Sequence, residues 1–573
     1  MVETATEPAP RNQPPASGMA RLWDRQLSSY PDTRMRFVYL GITVLATVIL
    51  YYELYIQGAV ATKIITYFGM TFTQFVFISV VGNLLGAFAS LAAGLADRWG
   101  RANLTVLGLF ITGIITLFGL PNAPNTATFA VLFAVLSIVE GMILVATPAL
   151  VRDFSPQLGR ASAMGFWTFG PVLGSLVVTV VSSNTLDAHP DWQFQFRVCG
   201  IAGIIVAVIA LIGLRELSPR LRDQLMVSLR DRTLIEARAK GLDLAQAMRG
   251  HWRQMLRFDV LGSAFAISVF LLFYYIAVGF FVVYFATVFG YSETRANGLA
   301  NWYWIANAIA LVTSGFLSDK LGVRKPFMIV GAVISLVGTG IFATLATKPD
   351  TSYYTFAVVL VISAAGGGLA YCAWMANFTE TVERHNPATT ATGLAVWGWT
   401  IRIVVTVALA VLTLVVPATS ALVDQGPRVS EIAAKYPEQI KTATAIAPAT
   451  LAALKKNPTD PAAGAAAVGQ LIKAGVAANP AAAVGRLTQL GTQPIPAADQ
   501  EYLAEHAATV TQAKEDNPHQ WQTWWWVCFL GQLVFIPFVF ITAGRWSPRK
   551  AREDAEQHEA MIQEEMAKLE RVG

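Results

Sequence analysis

Charge is scarce in this sequence: 14% of its 573 residues are Asp, Glu, Lys or Arg, against about 25% in ordinary globular chains. With 54% hydrophobic residues and a mean hydropathy of +0.49, that shortage excludes a soluble enzyme or a nucleic-acid binder as the main identity. Cysteine is scarcer still. Cys199, Cys372 and Cys528 each sit inside an apolar run, which excludes a disulfide framework and reads as small buried hydrophobes. Six histidines, mostly in loops, form no metal-ligand cluster, and neither a phosphate-binding glycine loop nor a catalytic triad is present. ATP-driven transport and enzymatic activity are therefore disfavoured, and neither a cofactor nor a metal is expected. The N-terminus is Pro-rich and polar to about Arg36, without the short apolar region and cleavage site of a signal peptide.

Long apolar runs are what the chain has in quantity. Twelve are visible, at about 37–62, 72–96, 102–121, 126–151, 159–183, 195–214, 258–289, 295–318, 326–346, 353–378, 390–416 and 522–544. A run of roughly 20 residues crosses a hydrocarbon core about 30 Å thick, so the chain reads as an all-α polytopic membrane protein with twelve transmembrane helices. The interruption at 215–257 carries ten basic residues against five acids, which places it, and both termini, on the cytoplasmic side of a cell membrane. The resulting plan is a cytoplasmic tail at 1–36, six spans at 37–214, a basic central loop at 215–257, and spans seven to eleven at 258–418. An extracytoplasmic insert follows at 419–521, then span twelve at 522–545 and a second cytoplasmic tail at 546–573. The insert is rich in Ala and Pro, with eight basic residues and nine acids. Stretches such as Pro448–Lys456 and Ala462–Ala478 favour helices that the prolines break into short pieces, giving a small helical cap. A mostly disordered linker is the alternative reading.

One internal repeat stands out. After span 2 the chain reads Gly94-Leu95-Ala96-Asp97-Arg98-Trp99-Gly100-Arg101, and after span 8 Gly315-Phe316-Leu317-Ser318-Asp319-Lys320-Leu321-Gly322. Aligning Asp97 with Asp319 also aligns Arg98 with Lys320 and Gly100 with Gly322. Glycine permits a tight reversal between antiparallel helices, and the basic residues hold the turn at headgroup level. Two six-span halves follow from its position in each.

This loop resembles the signature of the major facilitator superfamily, and the resemblance extends over nearly all twelve spans. Gly165-Phe166-Trp167-Thr168-Phe169-Gly170-Pro171-Val172-Leu173-Gly174-Ser175 in span 5 is similar to the Gly-Pro motif of antiporter-type members, with Ser175 where a second glycine is usual. Departures occur at Ala93, Ala102 and Ser137. The resemblance implies two pseudo-symmetric six-helix bundles, alternating access and a central site between the halves, with Asp97, Arg98, Gly100, Arg101, Gly315, Asp319, Lys320, Gly322, Gly170 and Pro171 as gating or structural positions. The insert lies outside the ordinary family plan.

Ionisable residues near the bilayer midplane are functional candidates. Glu53 lies in span 1, Glu140 near the centre of span 4 and Arg402 near the centre of span 11. Desolvation favours the neutral form of a carboxylate, so an acid at that depth can load and release protons near neutral pH. Arginine stays charged and offers a fork of donors to an anion. The competing reading is a permanent structural tie for each. Tyr51-Tyr52-Glu53-Leu54-Tyr55-Ile56-Gln57-Gly58 resembles the acid-plus-aromatics segment of proton-coupled organic-acid symporters. Tyr51, Tyr55 and Gln57 join Asn301, Trp304, Asn307 and Trp399 as candidate lining of an aromatic cavity. Trp524, Trp525 and Trp526 are assigned to an interfacial belt, and Glu380, Glu383, Arg384 and His385 to a solvated loop.

The reading is a secondary transporter, with proton-coupled symport of a small organic anion first. Glu53 and Glu140 handle protons, and Arg402 binds the anion. Proton-coupled efflux of a hydrophobic compound is second. A membrane receptor or assembly protein working through its insert is third. The partners expected are the small-molecule substrate, protons and the lipid bilayer, with a monomer as default, no nucleic acid, and the insert as a candidate docking surface.

Overall fold

The computed structural model describes residues 25–27, 29–90, 99–154, 160–218, 255–385 and 390–570. The apolar runs form helices α1 (Thr33–Ala59), α2 (Phe72–Ala89), α3 (Arg101–Ile114, continued by a π turn), α4 (Thr126–Phe154), α5 (Arg160–Thr185) and α6 (Trp192–Gly213). The second series is α7 (Phe258–Phe289), α8 (Glu293–Leu321), α9 (Lys325–Leu345), α10 (Tyr353–His385) and α11 (Thr390–Val415). Ten of the described helices are long and apolar enough to cross a membrane. The helix α8 is 29 residues long but less apolar than these, and the fold explains why: it packs along α5, 26 residues long, between the halves. Their polar residues therefore meet protein, where a polar group can find a partner. The lipid-facing role falls to helices such as α6 and α9, on which Ile201, Ile205, Ile212, Val330, Val333 and Val337 lie exposed at helical spacing. The interface between the halves is made by α1 with α7, α2 with α11, and α5 with α8 and α10.

The insert is helical: α12 (Pro417–Asp424), α13 (Gly426–Lys435), α14 (Pro437–Thr444), α15 (Pro448–Lys456), α16 (Pro461–Lys473) and α17 (Pro480–Thr492). Proline punctuates these helices by starting them, in the first turn of each, where its missing N–H costs no helical bond. Ile446, Ala467, Leu471, Ala477 and Ala483 form a small core of their own. The linker alternative is thereby set aside.

The last spanning helix differs from expectation. It is α18 (Ala497–Ile541), 45 residues long with Pro518 and Pro537 inside it, so it begins well before residue 522 and projects into the insert. The polar stretch before Trp521 hid this from hydropathy. A final helix, α19 (Pro548–Glu570), follows. The tryptophans at the membrane end of the projection are not a belt: Trp524 and Trp525 are 1% and 0% exposed. Trp525 packs against Phe273, Phe281, Tyr284 and Phe342 at ring separations of 5.0–6.0 Å. Trp526 alone of the three is exposed.

On the tail side, Gly100 (φ +89°) and Gly322 (φ +67°) both turn through left-handed backbone, as the repeated loop requires. Asp97 and Arg98 lie outside the described residues. Arg101 pairs with Asp153 at the end of α4 at 3.1 Å, and its main-chain N–H donates to Glu216. In the second copy Asp319 pairs with Arg324 at 2.8 Å, and Arg324 also reaches Glu380 on α10 at 3.2 Å. Lys320 is exposed and Gly315 buried. Glu380, Glu383, Arg384 and His385 are thus not a loop but the last turns of α10. Arg384 and His385 hold Asp259 at 2.6 and 2.5 Å.

Candidate functional site

The candidate site is built where α1, α4 and α11 carry their charges into the protein. Glu53 is 1% exposed and Glu140 2% exposed, and none of their four carboxylate oxygens has a hydrogen-bond partner. Burying an ionised carboxylate without partners is costly, which marks both acids as candidates for function.

Glu53 points into its own half. Gly203 of α6 leaves the space its carboxylate occupies: a Cβ there would meet Glu53 Oε1. Thr112 on α3 lies beside it, its hydroxyl donating to the Leu109 carbonyl at 3.3 Å. Glu140 lies within electrostatic range of both Glu53 and Arg402. Arg402 crosses the interface: its Nη1 comes within 2.9 Å of where a Cβ on Gly86 of α2 would stand. The guanidinium therefore rests where side chain is absent, beside the Ser137 carbonyl. Asn83 secures the crossing by donating to the Arg402 carbonyl at 3.2 Å and to Thr406 Oγ1 at 3.0 Å.

Aromatic residues complete the surroundings. Tyr51 and Tyr55 are in ring contact at 5.3 Å, and Tyr51 is within electrostatic range of Arg402, Glu140 and Tyr275. Tyr55 and Trp304 line one small cavity between the halves, together with Ser175 and Asn297. Asn307 lines a second with Tyr274, Tyr371 and Gln532, and donates to the Ala364 carbonyl at 3.1 Å. Tyr274 and Tyr275 on α7 escaped the sequence reading, although adjacent tyrosines in the middle of an apolar run are a usable signal. Gly170 and Gly174, flanking Pro171, pack on Thr47 and Tyr51 of α1.

Three expected lining residues lie elsewhere. Gln57 donates to Ser79 Oγ at 3.3 Å within the first half, although it is one turn from Glu53. Asn301 donates to Ser183 Oγ at 3.1 Å across the halves. This contact belongs to a set that closes the insert side: Asn297 to the Ala59 carbonyl at 3.0 Å, Thr62 to Glu293 at 2.7 Å and Thr294 to Asp187 at 2.6 Å. Trp399 stacks edge-on against Phe88 of α2 at 5.4 Å, toward the tail side of Arg402.

Comparison with known proteins agrees with this architecture. The family model of the Major Facilitator Superfamily matches residues 43–405 and 263–549. A cis,cis-muconate transport protein of Acinetobacter baylyi is 24% identical over 322 residues, covering 54% of this chain and 72% of that one. The crystal structure of a bacterial homologue of the human lysosomal transporter Spinster, inward-facing and unoccupied, superposes with a TM-score of 0.52 at 17% identity, covering 90% of this chain and all of that one. A proton:xylose symporter bound to 6-bromo-6-deoxy-D-glucose gives 0.52 at 14% identity over 68% of this chain and 91% of its own; at such identities these two show the fold alone. With helices, interface and family match in agreement, the chain belongs to the Major Facilitator Superfamily and is a membrane transporter, not an enzyme.

Proposed function

We propose that this transporter is a proton-coupled symporter of a small organic anion in the cell membrane, with its tail side cytoplasmic. The observation that carries the reading is the placement of Glu140. It is buried without a hydrogen-bond partner and within electrostatic range of both Glu53 and Arg402 of the opposite half. When Glu140 is ionised it neutralises Arg402 across the interface. When Glu140 takes up a proton, Arg402 is free to accept a substrate carboxylate through its fork of donors. Loading of the anion and of the proton thus favour each other. Glu53, set deeper in the first half, serves as a second proton carrier reached through Glu140. The name of the muconate-transporting relative supports an organic acid as cargo, and the tyrosines around Arg402 suit an unsaturated or aromatic one.

The test uses purified protein in proteoliposomes holding a pH-sensitive dye. A panel of radiolabelled organic acids, beginning with cis,cis-muconate, is offered outside. Symport predicts that an accepted acid carries protons inward with it. Proton exit coupled to substrate entry would favour the efflux reading. An absence of flux for any acid, with flux of hydrophobic cations instead, would refute the anion assignment.

A further inference from the structure

The insert is the part of the chain that the transport chemistry leaves unused, and its first helix, α12, touches both halves. Its anchorage to the second half is dense and dry. The Ala418 N–H donates to Gln520 Oε1 at 2.8 Å, and the Thr419 hydroxyl donates to Asn517 Oδ1 at 2.7 Å. Trp521 Nε1 donates to Thr419 Oγ1 at 2.9 Å, and Asn517 donates to Thr287 Oγ1 of α7 at 3.1 Å. Thr419, Asn517 and Trp521 are all 0% exposed. Such a fully satisfied buried network is costly to open, which makes α12 a fixed extension of α7 and α18.

Its attachment to the first half is of another kind. Asp424 Oδ1, at the end of α12, accepts from the Phe72 N–H at 2.7 Å. Phe72 is the first residue of α2, and its N–H is one of the four that a helix cannot satisfy internally. Thr71 already takes the N–H of Gln74 in a capping box, so Phe72 is left to Asp424, whose charge suits the positive end of the helix. The Ser420 and Thr73 hydroxyls meet beside it at 3.5 Å. One face of α12 is therefore bolted, whereas the other, which packs on Ala61–Phe68 and on the start of α2, has as its polar ties one charge-assisted bond and a single hydroxyl contact next to it.

We propose that α12 is a latch: it moves with the second half, and its Asp424–Phe72 bond holds the insert-side mouth shut until the halves rock apart. Opening that mouth requires α2 to leave α11 and α12 together, because α2 contacts both. The insert thereby biases how much of the time the transporter faces the insert side, through contacts that lie outside the central site.

The test reads conformation, so it depends neither on the substrate nor on proton coupling, and its failure is separate from that of the symport reading. Ala300 is 3% exposed and lines the cavity beside Tyr55 and Trp304, so Ala300→Cys reports opening. The full-length protein in proteoliposomes is labelled with N-ethylmaleimide, and the α8 peptide is read by mass; the three native cysteines are buried. Asp424→Ala should speed labelling at least fivefold, with a smaller gain for Asp424→Asn, which keeps an acceptor oxygen. Unchanged labelling in Asp424→Ala would overturn the latch. The pair Thr73→Cys with Ser420→Cys should form a disulfide under mild oxidant and cut labelling at least tenfold, with dithiothreitol restoring it. A pair that never cross-links, or one that cross-links while labelling stays fast, would overturn the proposal.

Discussion

Arg402 shows what a single residue contributes and what its neighbours must concede. Its guanidinium Nη1 lies 2.9 Å from where a Cβ on Gly86 would stand, with the Ser137 carbonyl 3.0 Å from the same point, so a side chain at 86 would crowd the arginine. Arg402→Lys keeps the charge but loses the planar fork. We expect it to raise the KM for the accepted acid tenfold or more while leaving helix content and thermal unfolding unchanged, as measured by uptake kinetics and circular dichroism. An unchanged KM would remove Arg402 from the binding site. The charges were legible in the sequence because an ionised group in the middle of an apolar run is conspicuous. Gly86, Gly203, Tyr274 and Tyr275 were not, because their importance lies in which helix stands opposite. Glu53 and Gln57 illustrate the same limit. One turn apart on α1, they address different neighbours, Thr112 and Ser79.

At the scale of the element, the repeated loop was readable as a turn, and the glycines explain how. Gly322 has φ +67° and ψ +19°, an ordinary left-handed cap, whereas Gly100 has φ +89° and ψ +137°, a region essentially reserved for glycine. A Cβ at Gly100 would also strike the Glu216 carboxylate that caps α3, while at Gly322 it meets only Ala551, at 3.9 Å. Gly100→Ala should therefore cost about 1–3 kcal/mol and Gly322→Ala about 1–2 kcal/mol. Thermal unfolding in detergent should rank Gly100→Ala below Gly322→Ala, and the reverse order would mean that the two turns are not built as described. Other elements resisted reading. Hydropathy located the membrane part of α18 but not its projection from Ala497, since a helix in the insert needs no apolar run. Composition placed Trp524 and Trp525 at the membrane edge but could not show that Phe281, Tyr284 and Phe342 enclose Trp525.

The whole molecule joins two halves across an interface whose insert side is closed by hydrogen bonds from Asn297, Asn301, Thr62 and Thr294. Its ionisable core spans that interface, with two acids in the first half and a cation in the second. In the symport we propose, proton movement is tied to the approach of the halves, because protonation of Glu140 and binding of an anion would act on the same arginine. Exchange of substrate across the membrane needs only the loaded halves to rock, but accumulation against a gradient needs the proton to be released. The most direct test is therefore Glu53→Gln in proteoliposomes, comparing counterflow of a preloaded acid with uptake driven by an imposed pH gradient. Counterflow within about threefold of wild type, with pH-driven accumulation lost, is the predicted result. Accumulation equal to wild type in Glu53→Gln would contradict the account.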